Sequence, residues 1–440
     1  MDRTSPRARD REILRLALPA LGALVAEPLF LLADAAFVGN LGTAPLAGLG
    51  VAGAVLSTLV YLCVFLAYAT TAAVGRSIGA GDLRGAARQG VDGLWLAGAL
   101  GTVLAATAAA TAPALVDVLG VTPDARPFAI TYLRVSAVGL PAMLMVLAAT
   151  GALRGLLDVR TPLAVAVSGA AANVGLNYVL VYPAGLGIAG SALGTVIAQV
   201  GMAVALAGAV VRNARRHGAS LRPDATGIRA SATASGALFL RTVTLRIHLL
   251  AAVAWAGAAG TVALAAHTVA VTVWGFLALT LDAVAIAGQA LVARGLGAGD
   301  VREVRALARR VTWWGLWSGA ATGVLVLGCL PWAPALFSPD LAVRAALSDV
   351  LVLVALFQVV AGVTFALDGV LIGAGDHRYL AVTGLGTLAV FLAAGWAAAA
   401  VDGGLVGLWW AIGGYTAVRL AVLAWRVRGT AWTRTGGTVG

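Results

Sequence analysis

Apolar residues run through this chain in long blocks, separated by short stretches rich in Arg, Asp, Gly and Pro. Twelve blocks reach the length a helix needs to cross a bilayer. They lie at approximately 16–39, 46–75, 90–112, 128–150, 163–181, 188–211, 233–257, 263–292, 311–330, 345–372, 380–400 and 405–425. The pattern predicts an all-α polytopic membrane protein with twelve transmembrane helices. The N-terminal run "MDRTSPRARDREILRLALPALGALV" is basic and then apolar, as a signal peptide is. It lacks a short apolar core ending in a small-residue cleavage site, and its apolar run continues to Gly39, so it reads as a retained first helix.

Laying the chain on itself exposes a repeat. Residues 79–84 read "GAGDLR" and residues 297–302 read "GAGDVR", an offset of 218. At the same offset "GALRGLLDVR" (151–160) meets "GVLIGAGDHR" (369–378), and "GIAG" (187–190) meets "GLVG" (404–407) at 217. Each half then holds six spans. An even number makes the halves parallel repeats about an axis along the membrane normal, as alternating access requires. The expected organisation is an N-terminal lobe at 1–211, a cytoplasmic linker at 212–232 and a C-terminal lobe at 233–440. The "GAGD" loops look like phosphate-binding glycine loops, but no Gly-Lys-Ser/Thr follows and no strand precedes them. They read as tight turns between helices.

Composition agrees with the block pattern. The 440 residues are 60% hydrophobic and 11% charged, against about 25% charged in soluble domains. The formal charge of +11 raises the question of a nucleic-acid partner. All 30 basic residues are arginine, and with the N-terminus inside, 24 fall in the cytoplasmic segments and only Arg126 and Arg344 in the outer loops. That asymmetry sets the orientation, with both termini cytoplasmic. The charge therefore belongs to topology and anionic lipid, and no nucleic-acid partner is expected. Cys63 and Cys329 stand alone in apolar runs, so no metal or disulfide framework follows from them. No catalytic constellation or cofactor motif was found, which argues against an enzyme. Several tryptophans near the helix ends, such as Trp313, Trp314, Trp332 and Trp432, read as interface anchors.

Candidate chemistry lies in the polar residues inside the spans, where a charge is costly and marks function by default. Glu27 and Asp34 are two turns apart on one face of the first span, which also carries Pro19 and Pro28 and so can bend. At ~1.5 Å per residue, Asp34 lies roughly 8 Å below the outer end and Glu27 near mid-membrane. Asn173 and Asn177 share a face of the fifth span, at depths of ~12 and ~6 Å. Thr195 and Gln199, in the sixth, lie about 10 and 16 Å down. Asp34, Asn173, Asn177 and Thr195 thus occupy one layer, suited to a proton or an oxygen-ligated small cation. In the C-terminal half, Arg246 lies ~19 Å and Asp282 ~15 Å from the cytoplasmic ends of their helices, within reach of each other. Arg241 and Asp368 sit nearer the cytoplasm and form a second candidate pair. Such pairs are often structural.

These residues resemble the multidrug and toxic compound extrusion (MATE) transporters, of the DinF-like branch. The resemblance spans essentially the whole chain. Its most specific parts are "LALPALGALVAEPLFLLADAAFVGNLG" (16–42), "FLRTVTL" (239–245), "LDAVAIAGQALVARGLGAGD" (281–300) and "LDGVLIGAGD" (367–376). It implies two six-helix lobes forming a V, and export of organic, often cationic, compounds driven by inward H⁺ or Na⁺. It also implies that Asp34 takes the coupling ion, that Pro19 marks the bend of the first helix, and that Asn173 and Thr195 complete the site. Some members carry a second acid where this chain has Asn177, which tilts the coupling ion toward H⁺.

The expectation is therefore a cation-coupled multidrug antiporter of the cytoplasmic membrane, acting as a monomer on small organic substrates, with no cofactor beyond its coupling ion. Glu27, Gln199, Arg246, Asp282 and Asp368 are secondary cavity candidates. The alternative is a flippase or exporter of lipid-linked saccharide or another lipid, which would need a cationic cavity to hold phosphate.

Overall fold

The structure, a computed structural model, describes residues 5–437. Those residues form fifteen helices and no strands. In chain order they are α1 (Pro6–Gly39), α2 (Thr43–Leu62), α3 (Phe65–Gly79), α4 (Leu83–Val118), α5 (Arg126–Ala137), α6 (Leu140–Gly155), α7 (Arg160–Val181) and α8 (Gly187–Arg216). There follow α9 (Ala225–Ala258), α10 (Thr261–Gly297), α11 (Val301–Cys329), α12 (Ala333–Phe337), α13 (Leu341–Gly373), α14 (His377–Ala400) and α15 (Gly404–Arg428).

Every expected span falls on one of these helices or on a broken pair. The second span is α2 and α3, interrupted at Cys63 and Val64. The fourth is α5 and α6, bent by 50° just before Pro141. Among the described residues ten helices are long and apolar enough to cross a membrane, or eleven with that bent pair as one span. The remaining expected span, 311–330, coincides with α11, 29 residues long. Its apolar content is diluted by Trp313, Trp314 and Trp317 and by Gly315, Gly319 and Gly323.

The chain separates into two compact units. One is Gly22–Ser235; the other joins Gly236–Gly440 to the segment ending at Leu21. The start of α1 therefore packs with the C-terminal half of the sequence, where the expected N-terminal lobe included it. Ion pairs account for this. Arg9 forks onto Glu303 at 2.8 and 2.6 Å, and Arg294 reaches Glu12 at 2.8 Å. Asp10 takes both Arg310 and the Trp314 indole, the latter at 2.8 Å. The connection between the halves also differs from the expected linker 212–232, because α8 runs to Arg216 and α9 begins at Ala225. Its alanine-rich sequence favours helix on both sides. The short irregular stretch between them lies on α4, through Trp95 Nε1 donating to Leu221 O (3.1 Å) and Arg88 near Asp224 (3.4 Å).

The repeat is visible in the backbone. Asp82 caps α4 by accepting from Gly85 N at 2.7 Å, and Asp300 caps α11 by accepting from Glu303 N at 2.9 Å. Gly81 and Gly299, just before them, have φ of 79° and 77°, the left-handed region that favours glycine. The "GAGD" loops are thus capped turns. The second match marks helix contacts. A Cβ on Gly151 would collide with the backbone of Ala67, and one on Gly369 with that of Ala285, 218 residues later in both partners. In the same way α3 packs on α6, and α10 on α13, the helix at the centre of its unit against α10, α11 and α15.

Because backbone rather than a flexible side chain blocks the space, enlarging these glycines forces the helices apart. Overpacking of this kind costs about 1–3 kcal/mol or more. Gly369→Val is expected to lower the thermal midpoint and the yield of monodisperse protein in detergent. Gly386→Val, at a position with open space around it, should leave both near wild type.

Candidate functional site

Within the unit Gly22–Ser235, four helices bring polar side chains to one buried point. Asp34, near the end of α1, is 1% exposed, and Asn173 and Asn177 on α7 are fully enclosed. Thr195 on α8 and Tyr132 on α5 complete the group, both buried. The spacing of four places both asparagines on one face of α7, and the approach of α8 beneath them is helped by Gly190 and Gly194. A Cβ at Gly190 would strike the backbone of Leu180, and one at Gly194 the Asn177 side chain.

The hydrogen bonds converge on the carboxylate. Asn177 Nδ2 donates to Asp34 Oδ1. Thr195 Oγ1 donates to Oδ2 at 3.2 Å, and the Tyr132 hydroxyl donates to the same oxygen at 3.3 Å. Behind them Asn173 Nδ2 donates to Thr195 Oγ1 at 3.2 Å, while its Oδ1 accepts from Asn177 Nδ2 at 3.3 Å. Asn177 Oδ1 is buried with no hydrogen-bond partner. Among the described residues no arginine or histidine takes part, so the donors to Asp34 are neutral ones. An ionised carboxylate has room for all three, each such bond contributing about 1.5–3 kcal/mol.

The structure thus gathers Asp34, Asn173, Asn177 and Thr195, the four residues placed in one layer by depth. It adds Tyr132, which sequence reasoning missed. The signal was available, since Tyr132 lies four residues into the fourth span, roughly 6 Å from its outer end by the same count. Its ring also packs in an apolar cluster with Val38, Ala52, Val116 and Ile188, so its hydroxyl is fixed in place.

The secondary candidates lie elsewhere. Glu27 is exposed and has no hydrogen bond or ion pair among the described residues. Gln199 is half-buried and packs on Gly139. Pro19 is half-buried in α1, which continues as helix through both Pro19 and Pro28. In the other unit, Asp368 on α13 pairs with Arg241 on α9, as the sequence suggested, and also with Arg419 on α15 at 3.2 Å. Arg246 on α9 and Asp282 on α10 are half-buried.

A tandem-repeat bundle of membrane-spanning helices with a buried carboxylate is an architecture found among membrane transporters. The MatE family profile matches residues 19–179 and 238–394, and the chain belongs to that family. The family is one of multidrug and detoxification transporters, and the chain is accordingly a membrane transporter, not an enzyme. Protein DETOXIFICATION 44, chloroplastic, of Arabidopsis thaliana is 33% identical over 97% of this chain and 82% of its own length. A probable multidrug resistance protein NorM of Pseudomonas syringae pv. tomato is 27% identical over 91% of this chain and 90% of its own. A crystal structure described as MATE in the bent conformation superposes with a TM-score of 0.89 at 21% identity, covering 96% of this chain and 95% of that one.

If the Tyr132 hydroxyl holds Asp34, Tyr132→Phe should leave the protein folded, because the ring still fills its cluster. Substrate exchange in reconstituted vesicles is then expected to slow by roughly tenfold, the value of one hydrogen bond to a charged group. An unchanged rate would show that the hydroxyl plays no part.

Proposed function

We infer that the protein is a cation-coupled multidrug antiporter, exporting organic and often cationic compounds across the cytoplasmic membrane by alternating access. The coupling ion is H⁺, taken up by Asp34. The observation that carries this reading is a single buried carboxylate held by three neutral donors from three other helices.

A proton on Asp34 makes one carboxyl oxygen a donor in need of an acceptor and removes the charge that strengthens the three hydrogen bonds it receives. A half-turn of the Asn177 amide would offer that proton Oδ1, which is otherwise unpartnered. Proton occupancy thereby changes how strongly α5, α7 and α8 are tied to α1, and that is the differential interaction a two-state transporter needs. A second carboxylate would favour Na⁺; Asn177 stands in that place and leaves a site of one charge. The printed names of the relatives, multidrug resistance and DETOXIFICATION, support organic compounds as cargo. The arginine asymmetry supports cytoplasmic termini in a plasma membrane, and nothing in the reading requires more than a monomer.

The test is ethidium accumulation in inside-out vesicles, under either an acidic lumen or an inward-to-outward Na⁺ gradient, for wild type and Asp34→Asn. Accumulation driven by the pH gradient and reduced in the variant to the level of empty vesicles is expected. Activity retained in Asp34→Asn would remove the residue from the mechanism. ²²Na⁺ binding at neutral pH that disappears in Asp34→Asn would reassign the coupling ion.

A further inference from the structure

Helix α11 has two unlike faces. Val304, Leu307, Ala308, Val311 and Gly315 are buried in the unit. The other face carries Arg302, Arg305 and Arg309, then Trp313, Leu316 and Trp317. At about 3.6 residues per turn these six fall within roughly a third of the helix circumference. All are exposed except Arg305, which is half-buried. The arginines precede the span expected at 311–330, the two indoles open it, and exposed Val324 continues the same face. The order along the face is thus charge, aromatic, aliphatic, as across the boundary of a membrane.

Among the described residues these three arginines make no hydrogen bond or ion pair, and Arg305 Nε is enclosed without a partner. The acids around them are committed elsewhere. Glu303 takes Arg9, Asp10 takes Arg310, and Asp300 caps the helix. Other arginines of the same unit, Arg294 and Arg426, are paired. Left alone, the row works against its own helix. Arg302 stands in the first turn, where the helix dipole disfavours a cation, and spacings of three and four set the like charges beside one another. An anion on this face would relieve both.

The repeat shows that the backbone does not require this row. On α4, 218 residues earlier, Arg84, Ala87, Val91, Trp95 and Ala99 stand at the positions of Arg302, Arg305, Arg309, Trp313 and Trp317. Ala87 and Val91 are buried with Ala214, at the end of α8, and with Ala219 and Leu221 beyond it. One copy therefore covers this stretch of helix with protein. The other gives it two more arginines and a second indole. The Trp313 and Trp317 rings lie 5.8 Å apart, and the Arg310 guanidinium sits 4.3 Å from the centre of the Trp313 ring. Arg310 in turn forks onto Asp10 of α1.

We propose that this face of α11 is a binding site for an anionic phospholipid, in the leaflet on the arginine-rich side of the membrane. Arg305 and Arg309, one turn and about 6 Å apart along the helix, receive the phosphate, and Arg302 reaches the headgroup from the water side. Guanidinium forks match phosphate oxygens, and the lipid charge cancels the repulsion within the row. The indoles lie at the depth of the glycerol, and an acyl chain follows Leu316 and Val324. A lipid fits better than a free phosphate because the arginines run without a break into exposed apolar side chains. The site needs neither the cargo nor the coupling ion inferred above.

The test counts lipid directly. Protein in detergent is mixed with equal amounts of dioleoyl phosphatidylglycerol and dioleoyl phosphatidylcholine, and the lipid it retains is weighed by native mass spectrometry. Wild type is expected to keep phosphatidylglycerol first, by about tenfold or more, since each arginine near the surface favours an anionic lipid by about fivefold. Arg309→Gln should cut that preference about fivefold, and Arg302→Gln, Arg305→Gln and Arg309→Gln combined should abolish it. Arg84→Gln, the same loss of charge at the counterpart position on α4, should leave it as in wild type. No preference in wild type, a preference kept in the triple variant, or an equal loss in Arg84→Gln would each overturn the proposal. The unfolding midpoint in lipid-free detergent should not fall in the triple variant, because its arginines have no partner to lose; a fall of several degrees would make them structural and overturn it too. Glycerol 3-phosphate at ~10 mM should leave the lipid bound, and displacement would overturn the lipid as occupant.

Discussion

A carboxylate inside a membrane-spanning helix must receive its hydrogen bonds from the protein, because the bilayer core offers none. At Asp34 this constraint commits one side chain each from α5, α7 and α8 to a single carboxylate. Satisfying the charge and packing the unit are consequently one problem. The Tyr132 ring belongs to the apolar cluster with Val38, one turn beyond Asp34 on α1, and its hydroxyl reaches the carboxylate. Gly190 and Gly194 bring α8 against α7 so that Thr195 and both asparagines can close the network. Moving any of these helices by a turn would leave a polar group unpaired in a dry interior, at a cost of about 1–3 kcal/mol or more.

The same α1 is held differently at its start. Arg9, Asp10 and Glu12 are fixed by ion pairs to residues of α10 and α11. Between that segment and Asp34 lie Pro19 and Pro28, which deprive the carbonyls of Arg15 and Leu24 of their helical donors. The helix is continuous yet lacks two rungs. It is most easily deformed between its two anchored ends.

Much of this was legible in the sequence because depth along a helix is simple arithmetic. Counting from span ends put Asp34, Asn173, Asn177 and Thr195 in one layer, and the structure closes them into one network. Tyr132 escaped because an aromatic in an apolar run reads first as packing, which it also is. Arg419 escaped for another reason. Arg241 and Asp368 suggested themselves as a neutral pair, and no one-dimensional pattern announces a third partner arriving from α15. The first residues of α1 were assigned to the N-terminal half by chain order, whereas their charges pair with Arg294, Glu303 and Arg310, almost 300 residues away. Sequence distance carries no information about such pairs.

Both units carry the repeat, yet among the described residues only one holds a polar site of the Asp34 kind. The scaffold is duplicated closely, down to the glycine contacts of Gly151 on Ala67 and Gly369 on Ala285. The site is not. Residues 218 positions after Asp34, Tyr132 and Asn173 are Ala252, Val350 and Phe391, and 217 after Thr195 stands Ile412. All four lie in one apolar cluster with Trp409 and Tyr415. Gly395, 218 after Asn177, admits the Trp255 ring in place of an amide. Here aromatic packing replaces the hydrogen-bond network, and it needs no ion to complete it. The charge of the C-terminal unit has instead gathered where α9, α13 and α15 meet, on Arg241, Asp368 and Arg419, with the opposite sign. Two copies of one backbone have thus been given complementary polarity, a carboxylate among neutral donors in one and arginines in excess over a carboxylate in the other.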